Sequence, residues 1–388
     1  MANNRLQNIE AWVGLKWLAG SRWSRERLLF LVVGVMLTQS IVLRRIADRQ
    51  AAWQNNSTNA ASHERRLRRT LNDPNLNWEK SYKPTLKAVM RWQRGGCLRI
   101  LIDESGQAEH FRVLMASLWY RGRTVPLAWL QWPGQTPQSE SYWDKCGRLL
   151  KLVAAVLPAG SKVVVIADRA FGHPTFTDLV VAQGWEWVVR VQRQTCFRDV
   201  QGCTSTLQAL LPTPGQRWKG RGELFKKAGW RTASVVGLWS VRHKEPLWVV
   251  SSLPLGWYLL DEYKRRSAIE TLFRDWKSYG FHWESSQVKE FDHHAVLLLA
   301  LALATLFTLC LGEQQATEWL ATQVQGRSTR AWEAKNSLFR LGLDRFQALL
   351  AGNCLQPPVW QLSHFDAPAW SRHSRRHHAL HGTILHAA

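Results

Sequence analysis

The chain reads as an α/β protein: a helical N-terminal part, then a mixed-sheet core interrupted by a β-rich insertion. Three observations point there. Between residues 98 and 192 the periodic segments run strand, strand, strand, helix, strand, helix, strand. A stretch at roughly 192–253 is rich in Gly, Thr and Val, with short strand-like runs. Before residue 91 the apolar residues fall at helical spacing instead.

Residues 1–90 form the first expected domain. Residues 25–37 are an apolar helical run. Ser40 can cap a second helix reaching residue 52, and the polar NNSTNA at 55–60 is a loop. Residues 62–71 then carry Arg65, Arg66, Arg68 and Arg69. Helix, short turn, helix and arginine-dense helix fit a helix-turn-helix-like DNA module; they fit a helical bundle with a basic surface equally well.

Residues 91–192 form the first part of the core. LRILID at 98–103 is a buried strand ending in Asp103. Residues 109–120 and 124–132 complete an antiparallel meander, with GQ and RGR as turns. Residues 141–158 make an amphipathic helix. KVVVIAD at 162–168 is a β-branched run, expected as a central parallel strand, and it ends in Asp168. A helix at 174–183 and a strand at 185–192 follow. The insertion spans 193–253, with strand-like runs at 223–227, 231–241 and 246–252. The core resumes over 254–315. Residues 316–388 are a C-terminal helical region, suited to dimer contact, with a basic, His-rich tail at 371–381.

Lys and Arg exceed Asp and Glu by 22, which favours a polyanionic partner. From 192 to 245 there are ten Lys or Arg against three acids, so the insertion suits a DNA-facing sheet. The six cysteines show no CxxC pair and read as reduced thiols of a cytoplasmic protein. The first apolar run begins well inside the chain and is broken by Lys16, Arg22 and Arg25, so no secretory signal is expected. Residues 295–311 are nearly all apolar but lack a basic collar, so a buried helix is expected and no membrane span. His173 reads as a helix-start residue. The 23 tryptophans are mostly packing residues.

The segment YKRRSAIETLFRDWK at 263–277 holds the densest chemistry. On one helix Tyr263, Arg266, Glu270 and Lys277 lie at roughly 0°, −60°, −20° and −40°, with Arg274 close by. A lone carboxylate among cations on one face suits metal-assisted phosphate chemistry; it also suits a solvated face of ion pairs.

The spacing decides between them. Tyr, two residues, Arg, three residues, Glu, six residues, Lys resembles the signature of the DDE transposases of bacterial insertion sequences, in the hairpin-forming, insertion-sequence-four-like branch. ADRAFG, with Asp168 and Arg169, resembles that family's second acidic segment, and the run into Asp103 resembles its first. The resemblance covers roughly 20–312. It implies an RNase H-like core in which the first and fourth strands are neighbours. It implies Asp103, Asp168 and Glu270 as a catalytic triad holding two Mg²⁺ ions, with Mn²⁺ as substitute: Asp103 bridges both and the other acids complete one each. Tyr263, Arg266, Arg274, Lys277 and Arg169 are then DNA contacts, and the N-terminal arginines read the transposon end. EPLWVVSSLP at 245–254 resembles the segment whose Trp stacks on a flipped base, which makes Trp248 that residue, though core packing of a strand Trp competes and the spacing to the Pro departs by one. The implied protein is a nucleoid-associated cut-and-paste transposase. It binds double-stranded terminal inverted repeats and target DNA, pairs two ends as a homodimer, and cuts through a hairpin. A nuclease without strand transfer and a repressor with vestigial acids are the alternatives.

Overall fold

The computed structural model describes residues 18, 20–54, 59–90, 96–107, 110–134, 140–324, 336–352 and 359–362; the His-rich tail lies outside them. In chain order, α1 (Arg22–Thr38), α2 (Leu43–Gln54), α3 (Ala60–Leu71), a π-helical turn (Trp78–Tyr82) and α4 (Lys83–Val89) precede the strands. The meander is β1 (Cys97–Gln107), β2 (Phe111–Tyr120) and β3 (Arg123–Pro133). Next come α5 (Tyr142–Ala154), β4 (Lys162–Ala167), α6 (Pro174–Val181) and β5 (Glu186–Val191). The insertion contributes β6 (Cys196–Arg198), β7 (Thr204–Thr206), the short α7 (Leu207–Leu210), β8 (Arg217–Leu224), β9 (Arg231–Leu238) and β10 (Leu247–Ser251). Helices α8 (Tyr258–Lys264), α9 (Ser267–Arg274), α10 (Phe291–Val324) and α11 (Leu338–Leu350) complete the described chain.

All ten strands belong to one sheet, in the order β3-β2-β1-β4-β5-β10-β9-β8-β6-β7. The meander is antiparallel, while β1, β4 and β5 run parallel. The first and fourth strands are therefore neighbours. Their apolar runs are buried on both faces, as parallel strands under helical cover must be: Ile100, Leu101, Val165 and Ile166 are fully buried. Helix α5 packs on β2 and β3, α6 on β5, and α9 on β1, β2 and β3.

The insertion departs from its expected strands. Of the run at 223–227 only Glu223 and Leu224 are strand. Strand β8 lies earlier and ends at Leu224, where Phe225 turns into the left-handed region at φ 69°. In β8, cations Arg217, Lys219 and Arg221 point outward and Trp218, Gly220, Gly222 and Leu224 point the other way, a pattern that apolar alternation does not reveal. Through the antiparallel pairing of β10 with β5, the insertion extends the core sheet itself.

The N-terminal helices are built into the same core. Ser21 caps α1, and Asn59 caps α3 by accepting from the Ser62 amide at 2.9 Å. Leu28, Phe30, Leu31, Val32 and Val33 of α1 are fully buried, and α1 packs on α2, α3 and α10. The apolar run at 295–311 lies within α10, whose most apolar window is 94% buried inside the molecule. It is long and apolar enough to cross a membrane, but the structure uses it as a core helix.

Helices α10 and α11 cross at glycines. A Cβ on Gly312 would stand 1.9 Å from the Leu338 carbonyl oxygen, and one on Gly342 would stand 1.8 Å from that of Thr308. Neither contact is a side chain that could move aside. Gly342→Ala is expected to lower stability by about 1–3 kcal/mol through overpacking. Gly147→Ala in α5 meets only the end of Leu179 at 3.3 Å and should be neutral or stabilising by about 0.5–1 kcal/mol. Denaturant melts of the two variants check the contrast; equal effects would mean the crossing yields.

Candidate active site

Strand β4 stops at Ala167 while β1 runs on to Gln107, still paired with β2. The strand expected to end in Asp103 runs on past it, and Asp103 stands at the step where β4 gives out. Ile102 pairs with Ala167, so Asp103 and Asp168 occupy the next positions of adjacent parallel strands. Asp168 leaves the sheet and caps a 3-10 turn (Arg169–Phe171), accepting from the Ala170 amide at 2.8 Å.

The segment 263–277 is not one helix. Helix α8 ends at Lys264, Arg265 and Arg266 form a turn, α9 follows, and Asp275–Tyr279 is a π-helical turn. Tertiary ion pairs hold the pieces separately. Glu262 is gripped by Arg99 at 2.6 Å, and Asp275 by Arg123 at 2.6 Å. Tyr263, Arg266 and Glu270 still converge. Lys277 does not join them: the π turn changes its angle, and its Nζ lies 3.4 Å from Glu284. Arg274 stacks over the Tyr279 ring.

Arg266 is the centre of the cluster. Its Nη1 donates to Asp103 Oδ2 at 3.2 Å and its Nη2 to Glu270 Oε1. The other Asp103 oxygen accepts from the Glu104 amide at 2.9 Å. Burial works against the Arg266 charge, yet Tyr263, Glu270, Asp103 and Asp168 together hold it firmly protonated. Burial raises the Asp103 carboxyl to about 6; Arg266 pulls it down, while Asp168 and Glu270 push it up. Burial also raises the Tyr263 phenol, against Arg266 and Arg190.

The donor set is all hard carboxylate oxygen, which suits Mg²⁺ or Mn²⁺. Among the described residues no three His, Cys, Asp or Glu groups stand ready around a cation. The Arg266 guanidinium acts as the stand-in cation, bridging Asp103 and Glu270. Side-chain exposure is 53% for Glu270 against 16% for Asp103, so Glu270 is the arm free to turn toward an ion. On donor chemistry and this stand-in, the residues fit the metal.

Other expected residues lie elsewhere. Arg65, Arg66, Arg68 and Arg69 are exposed on α3, with Arg66 over the Phe30 ring and Arg68 paired with Glu64. Trp248, expected as a stacking platform, is placed in the core. It is fully buried in β10, between β5 and β9, with Gly237 offering no Cβ beneath its ring; a Cβ there would come within 2.4 Å. In this structure its face is packed and closed to a base. Arg169 reaches Glu245 at 3.4 Å, and Arg190 reaches the same oxygen at 3.0 Å. Sequence reasoning passed over Arg190 and Glu245. The signal was present in WVVRV, where one arginine interrupts a buried strand near its C-terminal end.

The profile of a family described as Transposase DDE domain matches residues 105–307, more than half of the chain. That span contains Asp168 and Glu270 and begins just after Asp103. None of the curated proteins matches the chain. Among solved structures, the chain is similar to a piggyBac transposase in a synaptic complex with hairpin DNA, with a TM-score of 0.48 at 11% identity, covering 90% of this chain and 75% of that one. A likeness this distant carries no mechanism.

A carboxyl held near 6 in the folded protein, against an ordinary 3.8, keeps its proton after the unfolded chain has lost it. The fold therefore loses stability as pH rises through that window, on the order of 2–3 kcal/mol for Asp103. Asp103→Asn should remove this loss and melt higher than wild type at about pH 8, and less so at about pH 5. Millimolar Mg²⁺ should raise the wild-type melting temperature at the higher pH and leave the variant unmoved. An equal Mg²⁺ shift in both proteins would place the ion elsewhere.

Proposed function

The chain belongs to the Transposase DDE domain family, and from that premise we propose that it is a cut-and-paste DNA transposase of an insertion sequence. It acts at terminal inverted repeats, on an RNase H-like core, through Asp103, Asp168 and Glu270. The observation that supports this most is the convergence of those acids around Arg266 at the step between β1 and β4.

Asp103, Asp168 and Glu270 would hold divalent ions, which when bound supply charge relief at phosphorus and an activated water. The chain's own residues do the rest. Asp103 is fixed by the sheet and by the Glu104 amide, so it provides the rigid side of the site. Glu270 provides the mobile side. Arg266, freed as Glu270 turns, offers paired donors to a phosphate beside the one being cut. Tyr263, only 8% exposed, orients that guanidinium more than it contacts solvent. Lys277, Arg274 and Arg169 add cationic contacts along the duplex, and the exposed arginines of α3 grip a more distant part of the transposon end. Two protomers pair the ends.

The order of steps in this reading is nicking to free a 3′-OH, attack on the opposite strand to close a hairpin, reopening by water, and joining to target DNA. Closing the hairpin bends one strand sharply, and extruding a base relieves the bend. Trp248 could receive that base only after leaving its packed position between β9 and β5.

Asp103→Asn, Asp168→Asn and Glu270→Gln should each abolish cutting of inverted-repeat duplexes in Mg²⁺ and keep binding within a fewfold, because affinity rests on Lys and Arg contacts. Full nicking by any one variant would remove it from the triad. On a labelled pre-cleaved end, wild-type protein should yield a hairpin on a denaturing gel; nicking without hairpins would favour a plain nuclease.

A further inference from the structure

Arg190 stands near the C-terminal end of β5, next in the sheet to the strand that delivers Asp168. The loop after Asp168 lies against it. A Cβ on Gly172 would come within 2.5 Å of the Arg190 carbonyl oxygen, so only glycine allows this approach. Nη2 of Arg190 donates to Glu245 Oε1 at 3.0 Å, and Nη1 of Arg169 donates to the same oxygen at 3.4 Å. Two guanidinium groups thus share one carboxylate, so Glu245 by itself balances only one of the two charges. Nε of Arg190 is buried and has no hydrogen-bond partner among the described residues. A buried charged donor without an acceptor is costly, and a ligand oxygen would meet that cost. The same guanidinium opposes the effect of burial on the Tyr263 phenol, which places its field inside the cluster.

We propose that Arg190 is a phosphodiester-binding residue of this active site, and that Glu245 holds its guanidinium, with that of Arg169, until a DNA phosphate replaces the carboxylate. The proposal rests on the site acting on DNA. A carboxylate and a phosphodiester each present two anionic oxygens to a guanidinium fork, so the exchange conserves charge and shape. The Glu245 side chain is 44% exposed, and a pair this open separates easily. Glu245 is a positioning residue: it keeps two cations oriented at the mouth of the site without itself meeting the reacting atoms.

The test compares wild type, Arg190→Ala, Arg190→Lys and Glu245→Gln on a duplex taken from the DNA flanking the protein's own gene, with a scrambled duplex beside it. Binding is measured across a salt series, cleavage in Mg²⁺, and folding by thermal melts. Arg190→Ala should lower the slope of log affinity against log salt by about one and cut the cleavage rate roughly tenfold or more. Arg190→Lys should keep the slope and lose cleavage, since a point charge lacks the fork. Glu245→Gln should tighten binding a fewfold by removing the competing anion. An unchanged slope in Arg190→Ala would overturn the proposal, as would a drop in slope that follows its melting temperature and is shared by Arg190→Lys. Slopes are read whether or not wild type cuts. A wild type that binds without cutting would count against the transposase reading and leave the slopes to decide Arg190.

Discussion

Three carboxylates brought together where a central strand of a buried sheet ends repel one another, and the Arg266 guanidinium is what the chain sets against that repulsion. Two unit charges about 4 Å apart interact by roughly 4 kcal/mol at the effective dielectric of a protein surface, so an acid cluster needs a cation or a proton. Arg266 donates to Asp103 and to Glu270 and answers part of the demand. The proton retained on Asp103 up to about pH 6 answers more. On the proposed reading, a divalent cation would answer the rest.

Much of the surrounding structure keeps this arrangement from relaxing. The pairing of β1 with β4 holds Asp103 and Asp168 at neighbouring positions. The ion pairs Arg99–Glu262 and Arg123–Asp275 pin the chain on either side of Arg266, and each sits largely out of solvent. Behind them, α10 is buried from Val296 to Glu313 and crosses α11 through two glycines. The insertion is hydrogen-bonded onto β5, so Glu245 at the foot of β10 reaches back to Arg169 and Arg190.

The strand order and the nearness of the three acids were legible because each rests on a local pattern. β-branched runs end near aspartates, and fixed spacing ties Tyr263, Arg266 and Glu270 together. The break at Arg265 and Arg266 was not legible, since it follows from ion pairs to strands more than a hundred residues away in sequence. That break and the π turn are why helical angles misplaced Lys277. Trp248 matched a motif but sits in a strand paired on both sides, and burial there depends on Gly237 across the sheet. The outward cations of β8 and the link from Glu245 to Arg190 likewise needed the sheet to be assembled before they could be seen.

The most direct test of the central claim is anomalous scattering from crystals of the protein soaked in Mn²⁺. The predicted result is density beside Asp103 and Asp168, with Glu270 turned from Arg266 toward the ion. Density at another acidic cluster, with the Arg266 bridge to Asp103 and Glu270 intact, would contradict it.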